Sequence, residues 1–263
     1  MKNYIQNKKL LLGCAFIIAT LGALTYRTTS SEPTDANTLT IGIAAGYAPF
    51  ISINAQGEYE GFDIDVAKAV ANALGKKLVF KDLGSMTPLL LSLNQGSIDA
   101  AMWALSITQD RLKKFTMIHY QGEDTLSYPL LFWKEIPTQV TTLADMNGMV
   151  ICVEPTSSQS AVLAKYPDII QLTTERIDEA LLQLQYGKAT AALVEPAIGK
   201  KFKAAYPEIQ MLNVMLAPED QVKGMGIALQ KNNKLLAQAL EQAITQLKEN
   251  GTIASLEQKW GLV

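Results

Sequence analysis

Histidine and cysteine are scarce in this chain of 263 residues, which contains one histidine and two cysteines. Because His119 is the only histidine, metal sites built from several histidines are excluded, and a Ser/His/Asp triad would have to recruit this residue. Cys14 lies in an apolar N-terminal run, so the rest of the chain holds Cys152 alone and cannot form an internal disulfide. We therefore expect the fold to depend on its hydrophobic core, and the chain is long enough to bury a substantial one.

An excess of positive charge is also missing. The formal net charge is −2. The first 26 residues contain Lys2, Lys8 and Lys9 and no acid, so removing them would move the charge to −5. This balance argues against nucleic acid as a partner.

The N-terminus has the plan of an export signal or a single membrane anchor. Three lysines precede an uncharged run from Leu10 to Tyr26. No clean small-x-small cleavage site follows, so an uncleaved anchor remains an alternative. Lipidation at Cys14 is less favoured, because too little of the apolar run precedes it. We read residues 1–37 as this leader plus a polar linker, and we expect an exported protein.

The stretch DAAMWALSITQDR, residues 99–111, combines a buried strand with a helix start. Residues 98–104 are almost continuously apolar, as in a strand covered on both faces. Thr108 reads as the N-cap of a helix that carries Arg111. Arg111 can grip a carboxylate with two donors, while Ser106 and the strand end offer acceptors to an ammonium group. The alternative is that Thr108 only caps the helix and Arg111 pairs with a nearby acid.

A similar arrangement occurs later in the chain. Residues 189–194 predict a strand that delivers Glu195 at its carboxyl end, and Pro196 then opens a helix. Glu195 is either a cap for that helix or a ligand group, and the residues leave this open. If it is a ligand group, one unit offers a cation and the other an anion, which suits a zwitterion held between them.

The loop GYAPF follows the first predicted strand. Tyr47 could present its ring at the carboxyl end of that strand, where ligands bind in open α/β sheets, or it could be a buried loop aromatic. In the next helix we expect Asp63 to be the N-cap. Asp63 and Asp65 could form a catalytic pair, but acids at a helix start have a simpler structural explanation.

Strands and helices alternate twice, which predicts two doubly wound units. We expect residues 117–124 to be irregular and the extended run from Thr125 to Trp133 to leave the first unit. Thr174 is expected to cap a helix of the second unit. An extended return after residue 220 predicts a discontinuous first lobe, residues 38–125 and 222–263, and a second lobe, residues 126–221. The two strand connections between them would form the hinge.

Four motifs in this order, GYAPF, GFDIDVA, SITQDR and GMGIAL, resemble the family 3 solute-binding proteins for polar amino acids that serve ABC importers. The resemblance covers the chain after residue 38, and RLKKFTMIHYQGED, LVEPAIG, APEDQ and EQKWGL are most similar to arginine-binding members. It implies an α/β, two-lobed periplasmic-binding-protein-like fold of type II, each lobe a doubly wound sheet flanked by helices. It further implies a periplasmic monomer without a cofactor that closes on a free amino acid and delivers it to a membrane permease.

Carried over residue by residue, the resemblance implies a clamp for the amino-acid backbone. Arg111 would bind the α-carboxylate and Glu195 the α-ammonium. The other residues implied are Ser106 and the backbone of Ala104 beside the ammonium, Tyr47 over the side chain, and Ser157 as a further donor to the carboxylate on closure.

Three departures from the family pattern bear on the ligand. Many relatives have an acid a few positions before the aromatic of GYAPF, where this chain has Ala44 and Ala45. Thr156 stands where a glycine is usual, and Trp103 stands where a small residue is usual.

Arginine is our expected ligand, because a guanidinium stacks well between flat rings such as Tyr47 and Trp103, with Met86 as a further lining residue. No acid is evident to pair with its charge, and Glu58 or Glu60 would have to reach in. Glutamine or another neutral polar amino acid therefore competes as the ligand.

Two other classes of function remain as alternatives. The same fold hosts dehydratases that act on cyclohexadienyl acids, for which Glu195 is the candidate acid. A membrane-tethered amino-acid sensor would follow from an uncleaved N-terminal segment.

Overall fold

The computed structural model describes residues 37–263. The predicted leader and linker, apart from Asn37, lie outside the described residues. Among the helices described, none is both long enough and apolar enough to cross a lipid bilayer.

Twelve strands and eight α-helices make up the described part of the chain. The strands are β1 (Thr38–Ile43), β2 (Ser52–Ile53), β3 (Tyr59–Glu60), β4 (Lys77–Asp82), β5 (Ala100–Ala101), β6 (Phe115–Thr125), β7 (Ser127–Trp133), β8 (Val150–Val153), β9 (Ile170–Thr173), β10 (Ala191–Leu193), β11 (Ile209–Met215) and β12 (Val222–Gln230). The helices are α1 (Phe62–Ala73), α2 (Met86–Asn94), α3 (Gln109–Lys114), α4 (Ser158–Leu163), α5 (Ile177–Gln185), α6 (Pro196–Ala205), α7 (Lys234–Glu249) and α8 (Thr252–Lys259). Two 3₁₀ turns lie at Leu143–Met146 and Pro218–Asp220.

The strands form two mixed five-stranded sheets. The first has the order β4-β1-β5-β12-β6, with β1 parallel to β4 and β5, and β12 antiparallel to β5 and β6. The second has the order β11-β7-β10-β8-β9, with β8 parallel to β9 and β10, and β7 antiparallel to β10 and β11. Buried apolar side chains pack within both sheets and against their helices, and this confirms the predicted α/β class.

The chain passes between the sheets twice, at neighbouring points. Leu126 alone separates β6 from β7, and residues 216–221 separate β11 from β12. The backbone N–H of Leu216 donates to the carbonyl of Leu126 at 2.9 Å, so the two crossings lie side by side. The first sheet thus contains strands from residues 38–125 and 222–230, and the second contains strands from residues 127–215.

The expectation that residues 117–124 are irregular was wrong, because they lie inside β6. Strand β12, which lies about a hundred residues further along the chain, pairs with this segment from Phe115 to Thr125. Their register shifts around Gly224, whose φ is +62° and where a Cβ would lie 2.6 Å from the carbonyl oxygen of Gln121. Such an irregular pairing is not visible in local sequence periodicity.

Two predicted helix caps were also wrong. Gly61, not Asp63, precedes α1, and a Cβ at Gly61 would lie 2.1 Å from the carbonyl oxygen of Phe50. Close backbone approach therefore decides that helix start. Helix α5 begins at Ile177 after Arg176, and Thr174 is buried beside Cys152.

Candidate functional site

All seven residues that the sequence predicted for the ligand site line one small cavity between the two sheets. They are Tyr47, Trp103, Ala104, Ser106, Arg111, Ser157 and Glu195. Ala104 and Glu195 follow the carboxyl ends of β5 and β10, where ligands bind in open α/β sheets. The free volume of the cavity is only about 10 Å³, which is roughly the space of one water molecule. An amino acid therefore requires the two sides to separate before it can enter.

Arg111 is held in the cavity wall by the start of α3. Thr108 is the N-cap, as predicted, and its hydroxyl accepts the backbone N–H of Arg111 at 3.2 Å. The guanidinium donates to the carbonyl oxygen of Ser106 at 2.9 Å and, across the cavity, to that of Thr156 at 3.3 Å. It also contacts the sulfur of Met86 at 3.0 Å. Burial lowers the pKa of Arg111, an effect opposed chiefly by the negative charge of Glu195.

Glu195 occupies the N-cap position of α6, but its side chain caps nothing. Its carboxylate instead accepts hydrogen bonds from the hydroxyl of Ser106 at 2.6 Å and the amide of Gln159 at 2.8 Å. Burial raises its pKa, and these two hydrogen bonds with the charge of Arg111 oppose the rise. Of the two roles left open by the sequence, the geometry disfavours the cap.

The backbone at Ala104 is fixed by a buried acid. Ala104 has a φ of +44°, an uncommon conformation for a residue other than glycine. Its N–H donates to Asp63 at 2.7 Å, and the other carboxylate oxygen of Asp63 accepts the hydroxyl of Tyr120 at 2.7 Å. Burial raises the pKa of Asp63 to about 7. Asp63 thus supports the cavity wall and does not line the cavity.

Two aromatic side chains form the wall expected to cover a ligand side chain. The rings of Tyr47 and Trp103 meet edge to face with centroids 5.2 Å apart, and both side chains are buried. The indole N–H of Trp103 has no acceptor among the described residues, although it is buried. A buried donor of this kind is available to a ligand.

The hydroxyl of Ser157 forms hydrogen bonds to residues of its own turn. Its hydroxyl donates to the carbonyl oxygen of Glu154 at 2.7 Å and accepts the N–H of Ser160 at 3.0 Å. The preceding Thr156 has a φ of +58°, which is the left-handed conformation that glycine favours.

Four further residues line the cavity: Met86, Glu154, Ser158 and Gln159. Of these, sequence reasoning had named only Met86. Glu154 could have been found by the argument used for Glu195, since it is the first residue after the buried strand β8. The acids suggested as partners for a cationic ligand, Glu58 and Glu60, bond to Asn54 and Ser52 instead and do not line the cavity.

A second, larger cavity of about 550 Å³ adjoins the first. It shares Ser106 and Glu195 with the small cavity and extends past Phe50, Gln121 and Trp260. Ser106 and Glu195 thus lie at the boundary between the small cavity and this wider one.

Known proteins resemble this chain over nearly all of its described length. A family model for bacterial extracellular solute-binding proteins, family 3, matches residues 39–263. The probable ABC transporter arginine-binding protein ArtJ of Chlamydia trachomatis is 35% identical over 228 residues, covering 84% of this chain and 85% of that protein. ABC transporter arginine-binding protein 1 of Escherichia coli is 26% identical, covering 96% of this chain and 98% of that protein.

Solved structures agree in fold. The crystal structure of a mutant of ArgBP from T. maritima superposes with a TM-score of 0.77 at 25% sequence identity, covering 86% of this chain and 96% of that one. The family match spans most of the sequence, and the chlamydial relative shares more than a third of the aligned residues. The chain therefore belongs to the bacterial extracellular solute-binding proteins of family 3.

Proposed function

We propose that this protein binds a free amino acid, with arginine preferred, outside the cytoplasm and delivers it to the membrane permease of an ABC importer. The observation that carries the proposal is that Arg111 and Glu195 converge on one buried cavity. Arg111 lies on α3, which follows β5 of the first sheet, and Glu195 lies just after β10 of the second sheet. A buried guanidinium and a buried carboxylate on opposite sides complement the two charged ends of an amino acid.

Family membership makes the protein a binding protein rather than an enzyme. The alternative that the protein is a dehydratase is therefore rejected, and Glu195 is assigned no catalytic role. Its hydrogen bonds to Ser106 and Gln159 hold the carboxylate in place for an ammonium group.

The proposed lobes are residues 38–125 with 222–263, and residues 126–221. Closure would be a rotation about the paired crossings at Leu126 and residues 216–221. In the structure, Arg111 bonds to Thr156 and Ser106 bonds to Glu195 across the cavity. An entering amino acid would replace these contacts with its own carboxylate and ammonium.

Arginine is the proposed ligand for two reasons. The relatives named above carry arginine in their names. In addition, the rings of Tyr47 and Trp103 offer apolar surface against which a guanidinium packs favourably.

Calorimetric titration with arginine tests the backbone clamp. Arg111→Ala should weaken binding on the order of a hundredfold, ~3 kcal/mol, because the ligand carboxylate would be left buried without a cation. Arg111→Lys should recover little, since one ammonium cannot reproduce the two-donor geometry. Lys113→Ala, an exposed cation on the same helix, is the matched control and should bind normally. Near-normal binding by Arg111→Ala would contradict the proposal.

A thermal-shift screen with the common amino acids tests the choice of ligand. A ligand present at a thousand times its dissociation constant adds about 4 kcal/mol of stability. The largest shift should come from arginine. A maximum for glutamate or aspartate would contradict the preference, and no shift with any amino acid would contradict the function itself.

A further inference from the structure

Glu154 is a buried carboxylate in the cavity wall with an unused hydrogen-bonding oxygen. It is only 6% exposed, and its Oε1 has no donor among the described residues. Glu195, in the same wall and equally buried, accepts bonds from Ser106 and Gln159. Because buried polar atoms are almost always paired in folded proteins, an unpaired carboxylate oxygen in a ligand cavity indicates that its partner is the ligand.

The charges in the cavity support the same conclusion. Its lining contains three charged side chains: one cation, Arg111, and two acids, Glu154 and Glu195. An amino acid with a neutral side chain pairs its carboxylate with Arg111 and its ammonium with Glu195, which leaves Glu154 buried without a cation. A ligand with a cationic side chain supplies the missing charge, and the buried set is then neutral.

We propose that Glu154 accepts the cationic end of the ligand side chain and that it thereby restricts the site to arginine and lysine. This inference rests on the proposed function, because it assumes that Arg111 and Glu195 hold the amino-acid backbone. Glu154 replaces the acid that the sequence lacks at Ala44.

The position of Glu154 also decides when the side chain is recognised. Glu154 follows β8 in the second sheet, whereas Tyr47 and Trp103 lie in loops after β1 and β5 of the first sheet. In an open form, a ligand could therefore pack its side chain on the two rings. The cationic end of that side chain would reach Glu154 only after the two lobes close.

Protonation should accompany this recognition. Burial and the neighbouring charge of Glu195 raise the pKa of Glu154 to about 8, with Asp178 and Glu175 adding to the rise and Arg111 opposing it. At neutral pH the ligand-free site therefore holds a proton on Glu154 that a cationic ligand must displace. Arginine affinity should rise with pH up to about 8 and then level off, and binding should release a proton.

The test compares arginine with citrulline, which has nearly the same shape but an uncharged side chain. In Glu154→Gln the ratio of arginine to citrulline affinity should fall by about thirtyfold or more, because a desolvated charge pair is lost. Glu208→Gln, which removes an exposed acid from the same proposed lobe, is the matched control and should keep the wild-type ratio. Titration in buffers of different ionisation enthalpy should detect proton release in the wild type and none in Glu154→Gln.

The outcomes separate this inference from the proposed function. If the wild type binds arginine but Glu154→Gln keeps the same arginine-to-citrulline ratio, the role of Glu154 is overturned and the amino-acid clamp stands. If the wild type binds no amino acid, both are overturned. Thermal unfolding of ligand-free Glu154→Gln should show a melting temperature at least as high as that of the wild type, because an unpaired buried acid has been removed.

Discussion

At the scale of single residues, the acids of this protein have separate roles that sequence spacing does not distinguish. Asp63 lies in the first turn of a helix, where an exposed acid would stabilise the helix dipole. Its carboxylate is instead buried and binds the N–H of Ala104 and the hydroxyl of Tyr120. Asp63 thus joins the start of α1 to the loop that lines the cavity.

Two replacements of Asp63 should distinguish what its hydrogen bonds contribute to stability from what its charge contributes. Asp63→Ala leaves a backbone N–H and the Tyr120 hydroxyl buried without acceptors, and should lower the free energy of unfolding by about 2–4 kcal/mol. Asp63→Asn should cost less, because its amide can accept from Ala104 and donate to the tyrosine oxygen. Urea unfolding monitored by circular dichroism measures both changes.

The same acid should make stability depend on pH. Its pKa is raised from 3.8 to about 7 in the folded protein by burial, so the folded state binds this proton more tightly than the unfolded state. The resulting stabilisation is full below about pH 4 and is lost as pH rises through about 7, on the order of a few kcal/mol.

Urea unfolding across this pH range should show the wild type losing stability relative to Asp63→Asn. The exposed Asp124 offers a control, since Asp124→Asn should follow the wild type. Parallel curves for wild type and Asp63→Asn would show that Asp63 does not titrate in this range.

At the scale of elements, helix α6 approaches the second sheet closely because it has a glycine at the contact. A Cβ on Gly199 would lie 2.8 Å and 3.1 Å from ring carbons of Pro129 in β7, and 3.3 Å from the sulfur of Met211 in β11. The proline ring is part of the strand and cannot swing away as a flexible side chain would. This contact sets the distance between α6 and its sheet, and Glu195 directly precedes that helix.

Gly199→Ala should therefore destabilise the protein even though alanine favours helices. Helix propensity would add up to about 1 kcal/mol, whereas overpacking a rigid contact costs about 1–3 kcal/mol. We expect a net loss of about 1 kcal/mol, measured as a lower urea midpoint. Lys200→Ala, at the adjacent exposed position, is the control and should change stability little. If Gly199→Ala were more stable than the wild type, the contact would not be rigid and the strands would have shifted to accept the added Cβ.

At the scale of the whole molecule, the described conformation is closed too tightly to admit an amino acid. The small cavity holds about 10 Å³, and its polar groups bond across it, Ser106 to Glu195 and Arg111 to Thr156. Since the crossings between the sheets are adjacent, rotation about them would open the cavity without disturbing either sheet.

Small-angle scattering with and without arginine measures this motion. A ligand that bridges the two sides stabilises the closed form, so the radius of gyration should decrease when arginine is added. Arg111→Ala at the same arginine concentration should remain at the ligand-free value. An unchanged radius of gyration for the wild type, with binding established by calorimetry, would contradict a hinged closure.

Local patterns in the sequence were sufficient for many features of the fold and the site. Apolar runs over residues 98–104 and 189–194 predicted buried strands, and β5 and β10 lie within those runs. The N-cap at Thr108 placed Arg111 at a helix start. These features depend on residues within a few positions of one another, whose local preferences can be recognised without knowledge of any tertiary contact. Residue-type reasoning could therefore name a cation and an anion for the site.

Only the tertiary structure decided which groups meet and which remain unpaired. Residues 117–124 become a strand because β12 pairs with them, and Asp63 becomes a buried support because Ala104 and Tyr120 reach it from distant segments. Glu154 carries the same local signal as Glu195, but it differs in lacking a donor, and that difference arises from side chains on other elements. Long-range pairing and burial depend on three-dimensional packing, so local sequence determines where a carboxylate lies along the chain and packing determines its partner.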